Sequence, residues 1–326
     1  MTFEAQWPAF RQQAGRYESF YMRAASPDDG NGVWIRYTVQ KAADRPPKAS
    51  VWFTMFDHAR GRPVARKSTF DETGLACPAG GWISIGESSL TPHGIEGSAG
   101  DARWSLSFTD AEPALHHLSK DWIYRARLPK TKPESPVPFA RFSGEVECDG
   151  RTYVLDGWPG MVGHNWGAEH AWTWIWLSGA GFAEDPSAWI DLALGRVKIA
   201  GRLTPWVANG AVSLGGRRHR LGGLLRRGVK VEAAPGRAKM RLPGSEGCSV
   251  EVTVEAPRES TVAWNYGSPG GHVHDVLNCS IAKLEATVSV MGEADSLLST
   301  AHGGTYELGL PEPQSWVKPE PMPDEW

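Results

Sequence analysis

The chain contains no run approaching about 18 apolar residues, which excludes a membrane-spanning helix. Its opening, MTFEAQWPAFRQQAGRYESF, lacks a basic start followed by an apolar run, so no secretory signal is expected. Cysteine is scarce. Cys77, Cys148, Cys248 and Cys279 lie far apart and form no CxxC pair. They suit a reducing cytoplasm and argue against a zinc cluster built from them alone. Neither sign of charge dominates: 34 Lys and Arg face 37 Asp and Glu, for a net charge of −3. That excludes a generally basic nucleic-acid binder and a strongly acidic tail protein. The G-x-S-x-G elbow, the Walker loop and the dinucleotide fingerprint are also missing, which disfavours nucleophilic, phosphate and nicotinamide chemistry. Long amphipathic helices are absent too; residues 3–14 are expected to form a short one.

With 326 residues, the chain is long enough for two domains and buries roughly three quarters of its surface on folding without a disulfide or metal staple. The 37 glycines and 24 prolines favour turns and short elements. Tryptophan is over-used, at 16 against 10 phenylalanines and 7 tyrosines.

Period-two patterns predict strands. In ARWSLSF (102–108) and SVEVTVE (249–255), apolar and polar residues alternate. VWIRYTV (33–39), SVWFTMF (50–56) and SAWIDLAL (187–194) are short, β-branched or aromatic. Asp149-Gly150, Asn209-Gly210 and Gly215-Gly216 read as two-residue hairpin turns, because both central residues need positive φ. The fold class is therefore all-β, with antiparallel meanders.

An internal repeat points to two related halves. Residues 19–36 align without a gap on 174–191, at an offset of 155, placing Tyr21 on Trp176, Trp34 on Trp189 and Ile35 on Ile190. The expected organisation is a β-domain over 1–169, a second over 170–310, and a Pro- and acid-rich tail over 311–326 without a fold of its own.

The densest chemistry lies in DGWPGMVGHNWGAEHAWTWIWL, 156–177. Four glycines mark tight backbone around His164, Asn165, Glu169 and His170, and Trp172, Trp174 and Trp176 share one strand face. Convergent polar groups on a glycine-rich turn, feeding an aromatic stripe, read as the mouth and wall of a pocket. The same tryptophans would serve equally as core filler. A carboxylic acid buried beside aromatics can stay protonated as a donor, and aromatic faces stabilise a developing cation. Protonating an alkene, adding water or closing a ring needs that combination. Candidate acids are Asp156, Glu169, Asp191 and Asp275; Asp191 interrupts an otherwise apolar strand, where it could also face outward.

Two further features have bland alternatives. His272 and His274 form an H-x-H on a strand-like stretch, suited to two metal ligands with Glu169 or His164 as a third, or equally to two edge histidines facing solvent. Residues 217–241 hold nine Lys and Arg against Glu232. Without interleaved aromatics they read as a solvated hairpin rather than a nucleic-acid surface.

RYESFYMRA, VWIRYTV, GMVGHNWGAEHAWTWIWLSG and HDVLNCSIA together resemble the lipocalin-like family of carotenoid 1,2-hydratases, the hydroxyneurosporene synthase group, over roughly residues 16–310. Tocopherol cyclases and fungal decalin-forming Diels–Alderases are similar at greater distance. The resemblance implies two lipocalin-like antiparallel β-barrels packed together, a hydrophobic small-molecule substrate in a cavity, and no organic cofactor.

The resulting expectation is a cytoplasmic lyase (hydratase) or isomerase (cyclase) acting on an isoprenoid or polyketide-like molecule, with secondary metabolism as its setting. Glu169 or Asp191 would donate the proton, His164, His170 and Asn165 would orient water or a polar end of the substrate, and Trp166, Trp174, Trp176 and Trp189 would line the cavity. No metal, nucleic acid or integral membrane segment is called for, and nothing sets an oligomeric state. Two alternatives stay open: a non-catalytic lipid or pigment carrier, and a metalloenzyme using His272 and His274.

Overall fold

The computed structural model describes residues 5–321, apart from 12, 14, 78–80, 224 and 225. Strand makes up 61% of it and helix 6%. The alternating segments fold as their pattern dictates: Ala102–Thr109 buries every second residue, as does Ser249–Glu255. Of the segment expected to be an N-terminal helix, Trp7–Arg11 forms a 3-10 turn, while residues 3, 4, 12 and 14 lie outside the described residues.

Two antiparallel sheets carry the fold, one curled into a nearly closed barrel and the other into a half-barrel, the architecture of paired lipocalin-like barrels. The first, twelve-stranded sheet runs Val64–Phe70, Lys48–Asp57, Asn31–Lys41, Arg16–Ala25, Arg151–Gly167, Thr131–Cys148, Ala102–Thr109 and Gly94–Ala99, then three short strands, with Leu115–His116 beside Thr131–Cys148. The second, ten-stranded sheet runs Arg217–Gly222, Val207–Leu214, Trp189–Arg196, Thr173–Ala180, Ser296–Leu310, Val273–Ser289, Ser249–Glu255, Arg237–Pro243 and Lys230–Ala234, with Val262–Gly267 beside Val273–Ser289. Both sheets share one order. In each, an N-terminal hairpin is flanked by the long last strand of its own half. The repeated sequence segments are those two hairpins.

Asp149 and Gly150, with φ of 51° and 70°, turn the chain between Thr131–Cys148 and Arg151–Gly167. Gly215 and Gly216 do the same between Val207–Leu214 and Arg217–Gly222. Asn209-Gly210 makes no turn and lies inside Val207–Leu214. Gly210 is needed there for close approach, since a Cβ would stand 2.1 Å from the Asp191 carbonyl oxygen on the neighbouring strand.

Strand alternation divides the hairpin residues between two cores. Phe20, Met22, Val33, Ile35 and Tyr37 pack inside the first sheet. Trp34, Trp52 and Phe56 face the other way and join Trp176, Trp264 and Tyr266 where the sheets meet. In the tail, residues 311–321 form neither strand nor helix, but the Gln314 N–H donates to Asp275 (3.0 Å) and the Glu320 N–H to the Ala263 carbonyl (2.8 Å). Residues 322–326 lie outside the described residues. In the basic stretch, of which 224 and 225 are not described, Arg217 pairs with Glu293 and Arg218 with Glu112. Among the described residues all four cysteines are free, and no helix is long and apolar enough to cross a membrane.

Candidate functional site

Strand register places the site between the sheets. Across the first sheet, Gly163, Tyr21, Arg36 and Trp52 are consecutive cross-strand partners. Across the second, Asn278, Glu307, Trp176 and Ala193 form such a row, and Ser178 pairs with Asp191. The rows meet. The Tyr21 and Trp176 rings lie 4.8 Å apart, edge to face. Trp52 stands edge-on to Trp264 at 5.2 Å and Tyr266 at 5.5 Å. Glycine makes the arrangement possible, because a Cβ at Gly163 would come within 2.3 Å of the Tyr21 ring. Gly309 gives Trp174 the same room, at 2.2 Å.

Asp191, with no exposed surface, sits at one side of this contact. Ser135 Oγ donates to its Oδ2 at 2.5 Å, Trp176 Nε1 donates to its Oδ1 at 3.3 Å, and His117 Nε2 stands 3.1 Å from Oδ2. His117 Nδ1 faces the Asn209 carbonyl at 3.2 Å, so that nitrogen must carry a proton. His117 Nε2 is also 3.1 Å from Ser135 Oγ, so the hydroxyl, the imidazole and the carboxylate form one buried hydrogen-bonded cluster beside a tryptophan.

Glu307 occupies the other side. It accepts from Trp174 Nε1 (2.9 Å), Asn278 Nδ2 (3.2 Å) and the Tyr266 hydroxyl (3.3 Å). Burial pushes the Tyr21 hydroxyl well above its ordinary pKa, and Asp191 and Glu307 push it further; Arg36 and a hydrogen bond from Asn165 oppose this. Tyr21 is thus held as a protonated phenol. The Arg36 guanidinium lies 3.8 Å over the Tyr266 ring.

Histidines lead from this cluster to the surface. His170 packs on Tyr17 (4.3 Å) and Trp174 (5.2 Å), His274 on Trp174 (5.0 Å) and His272 (4.5 Å), and exposed His272 on Trp172 (5.4 Å). Burial, with help from Arg36, holds His170 well below the ordinary imidazole pKa. Burial and His272 push His274 down to about 4.

The sequence candidates divide between places. Asp191, His170, Asn165, Trp174, Trp176 and Trp189 are on the inter-sheet side. His164 and Trp166 are not, because 156–167 form strand rather than turn, and alternation points them into the first sheet. There His164 is fully buried, with Nε2 at 2.6 Å from Glu18 and Nδ1 at 2.9 Å from Glu134, stacked between Phe20 and Trp166. Burial opposes its charge, but the two carboxylates outweigh burial and raise its pKa. The expectation of a buried Glu169 is corrected: it is exposed and pairs with Lys130 at 2.6 Å, since the chain leaves the strand at Gly167 and turns outward. Asp156 is likewise exposed, and Asp275 is spent on Asn265 and the tail. With Glu169 and His164 engaged elsewhere, the histidine pair gains no third ligand from them. Among the described residues, no group of three or more His, Cys, Asp or Glu side chains gathers as a metal site.

Tyr21, Arg36, His117, Ser135, Tyr266 and Glu307 were not singled out from sequence. The signal that flagged Asp191, a charge interrupting an apolar strand, is also present at Arg36 in VWIRYTV and at Glu307 in TYELGL.

Fold and site together define a class: two lipocalin-like β-sheets enclosing a polar, tryptophan-rich cluster between them. No family model matches the chain. Over 322 residues, 95% of this chain and 91% of the relative, it is 26% identical to an uncharacterized protein found in two strains of Mycobacterium tuberculosis. Three solved structures share the fold. The AttH-like protein of Nitrosomonas europaea superposes with a TM-score of 0.58 at 13% identity, covering 97% of this chain and 98% of that one. CghA does so at 0.60 and 12%, covering 90% and 88%. Kievitone hydratase of Nectria haematococca does so at 0.51 and 8%, covering 92% and 89%.

Proposed function

We propose that the chain is a hydratase or cyclase that protonates an apolar, unsaturated small molecule held between its two sheets. The carrying observation is the 3.1 Å contact between His117 Nε2 and fully buried Asp191 Oδ2, beside Trp176 and the protonated Tyr21, where a proton carried by the pair would be the acid. An acid proton in a desolvated, aromatic-walled place is what an alkene needs to become a cation. The faces of Trp176 and Trp174 stabilise the positive charge that develops. Water captures the cation in a hydratase; a second double bond captures it in a cyclase, and a base then takes back a proton. Asp191, left as a carboxylate after donation, is placed to do so. An isoprenoid or polyketide-like substrate fits the aromatic lining and the resemblance to carotenoid hydratases. The shared fold with kievitone hydratase supports the reaction class.

The test incubates the wild type and Asp191→Asn with a panel of isoprenoid and polyphenol alkenes in deuterated water. Hydration adds the mass of one water; cyclisation leaves a solvent deuteron on an isomer. The expected result is conversion by the wild type, and binding without conversion by Asp191→Asn. Conversion by both removes Asp191 from the mechanism. Binding without conversion by either marks a carrier.

A further inference from the structure

We infer that the molecule held between the sheets is an apolar carboxylic acid whose carboxylate is received by Arg36. This deepens the reading above and rests on it for the location of the site. Arg36 interrupts the apolar strand Asn31–Lys41 and is only 6% exposed. Its Nε donates to Ser19 Oγ at 2.7 Å, and its plane lies over Tyr266 and, at 5.7 Å, Trp52. Among the described residues its Nη1 has no hydrogen-bond partner. A buried guanidinium is costly unless its charge is met. The nearby carboxylates turn to other donors: Asp191 to Ser135, His117 and Trp176, Glu307 to Trp174, Tyr266 and Asn278.

Arg23, two residues along the neighbouring strand from Tyr21, shows the contrast. It is fully buried and, among the described residues, its Nε and Nη1 also lack partners, but its Nη2 donates to two backbone carbonyls, Gly303 at 2.7 Å and Ser280 at 3.4 Å, and so braces one sheet against the other.

A second observation lies on the same side. His274 is 2% exposed, and its imidazole faces the Ala171 and Trp172 backbone. With His170 it joins exposed His272 to the Arg36–Tyr266 stack through a chain of ring contacts. Burial keeps both imidazoles neutral near pH 7, so they offer hydrogen bonds without competing for the anion. A planar two-oxygen anion matches the guanidinium fork, while Trp52, Tyr266 and Trp176 take the apolar skeleton.

The probe pair is cis-parinaric acid and its methyl ester, titrated by fluorescence into the full chain. The wild type should bind the acid at least about 10-fold tighter than the ester, the range of a charge-assisted hydrogen bond. Arg36→Gln should weaken the acid by about 10- to 100-fold and leave the ester unchanged, which also shows that the variant is folded. Should Arg36→Gln not fold, Arg36→Lys keeps the charge without the fork and should reduce the preference without abolishing it. Equal affinity of the wild type for acid and ester, binding of neither, or a preference untouched by both substitutions overturns the inference. Trp176→Ala separates the two readings. Binding that Trp176→Ala weakens but the Arg36 variants leave alone sinks only the acid, whereas binding indifferent to Trp176→Ala removes the inter-sheet site itself.

Discussion

Tyr21 and Trp176 occupy equivalent positions in the two repeated hairpins, 155 residues apart, and their rings meet at 4.8 Å with a 70° tilt. Each half thus contributes the same strand position to the contact between them. The same equivalence places Arg36 opposite Asp191 in the alignment, one cation and one acid at the same position of the repeat. The repeated frame brings two matched aromatic positions into contact, and differences at single positions make that contact chemically lopsided, with Asp191 on one sheet and the Arg36 guanidinium on the other.

Tyr21→Phe keeps the ring against Trp176 and removes only the hydroxyl. Stability should change by no more than about 1 kcal/mol, while turnover should fall by about 10²-fold if the phenol takes part in proton transfer. Gly163→Ala does the opposite. Its new Cβ meets the Tyr21 ring at 2.3 Å, so the ring must move or the strands part, at a cost of about 1–3 kcal/mol. Thermal melts together with tryptophan emission, which reports on Trp176, check both variants; a Gly163→Ala protein with unaltered melt and emission contradicts the packing described.

Asp191→Ala leaves His117, Ser135 and Trp176 without their common acceptor in a dry place. Losing one partner of such a buried pair costs about 3–5 kcal/mol. Asp191→Asn, which preserves the shape, should cost less. Chemical denaturation of both variants gives the order directly, and equal stability of the two would mean that the shape and hydrogen bonding of the side chain at 191 contribute nothing.

The strands and two of the three hairpins were legible because alternation and positive-φ pairs are local. Asn209-Gly210 misled because a glycine can serve a neighbouring strand rather than a turn; here it makes room for the Asp191 backbone. The segment GHNWGAEH looked like one constellation, yet strand geometry sends His164 and Asn165 to opposite faces and the exit after Gly167 puts Glu169 in solvent. Proximity in sequence is not proximity across a sheet. The partners of Asp191 come from residues 117 and 135, on a loop and a strand of the other half, and no periodicity in one segment announces them. The repeat was the one long-range signal available, and it already held Tyr21, Trp176, Arg36 and Asp191 in register.

Glu169→Gln tests that lesson. An ion pair with both partners about half exposed contributes roughly 0–1 kcal/mol, so the melt should barely move. Turnover should also persist, in contrast to Asp191→Asn. Loss of turnover in Glu169→Gln would return this carboxylate to the chemistry and require the linker after Gly167 to fold inward when substrate binds.

Two buried histidines should give opposite pH signatures in stability. The folded-state pKa of His164 is raised above its unfolded value near 6.5 by Glu134 and Glu18, so its contribution is complete below that value and is lost as pH rises through the folded pKa. The gap between wild type and His164→Gln should therefore be widest on the acid side of 6.5 and narrow toward alkaline pH. Glu134, lowered by His116 and His164 against the effect of burial, sets the lower edge: its contribution is present above its ordinary value of 4.5 and is lost as pH falls through the lowered one. His274 behaves oppositely. Its folded pKa is depressed to about 4 by burial and His272, so between 6.5 and 4 the unfolded chain binds a proton that the folded one refuses, and stability falls as the solution is acidified through that window. His274→Gln should flatten the acid limb of the wild-type curve, while His164→Gln should leave the slope of that limb unchanged and remove the decline above 6.5. Urea denaturation at half-unit pH steps from 4 to 8 separates the two, and parallel curves for all three proteins would show that neither imidazole titrates differently in the folded chain.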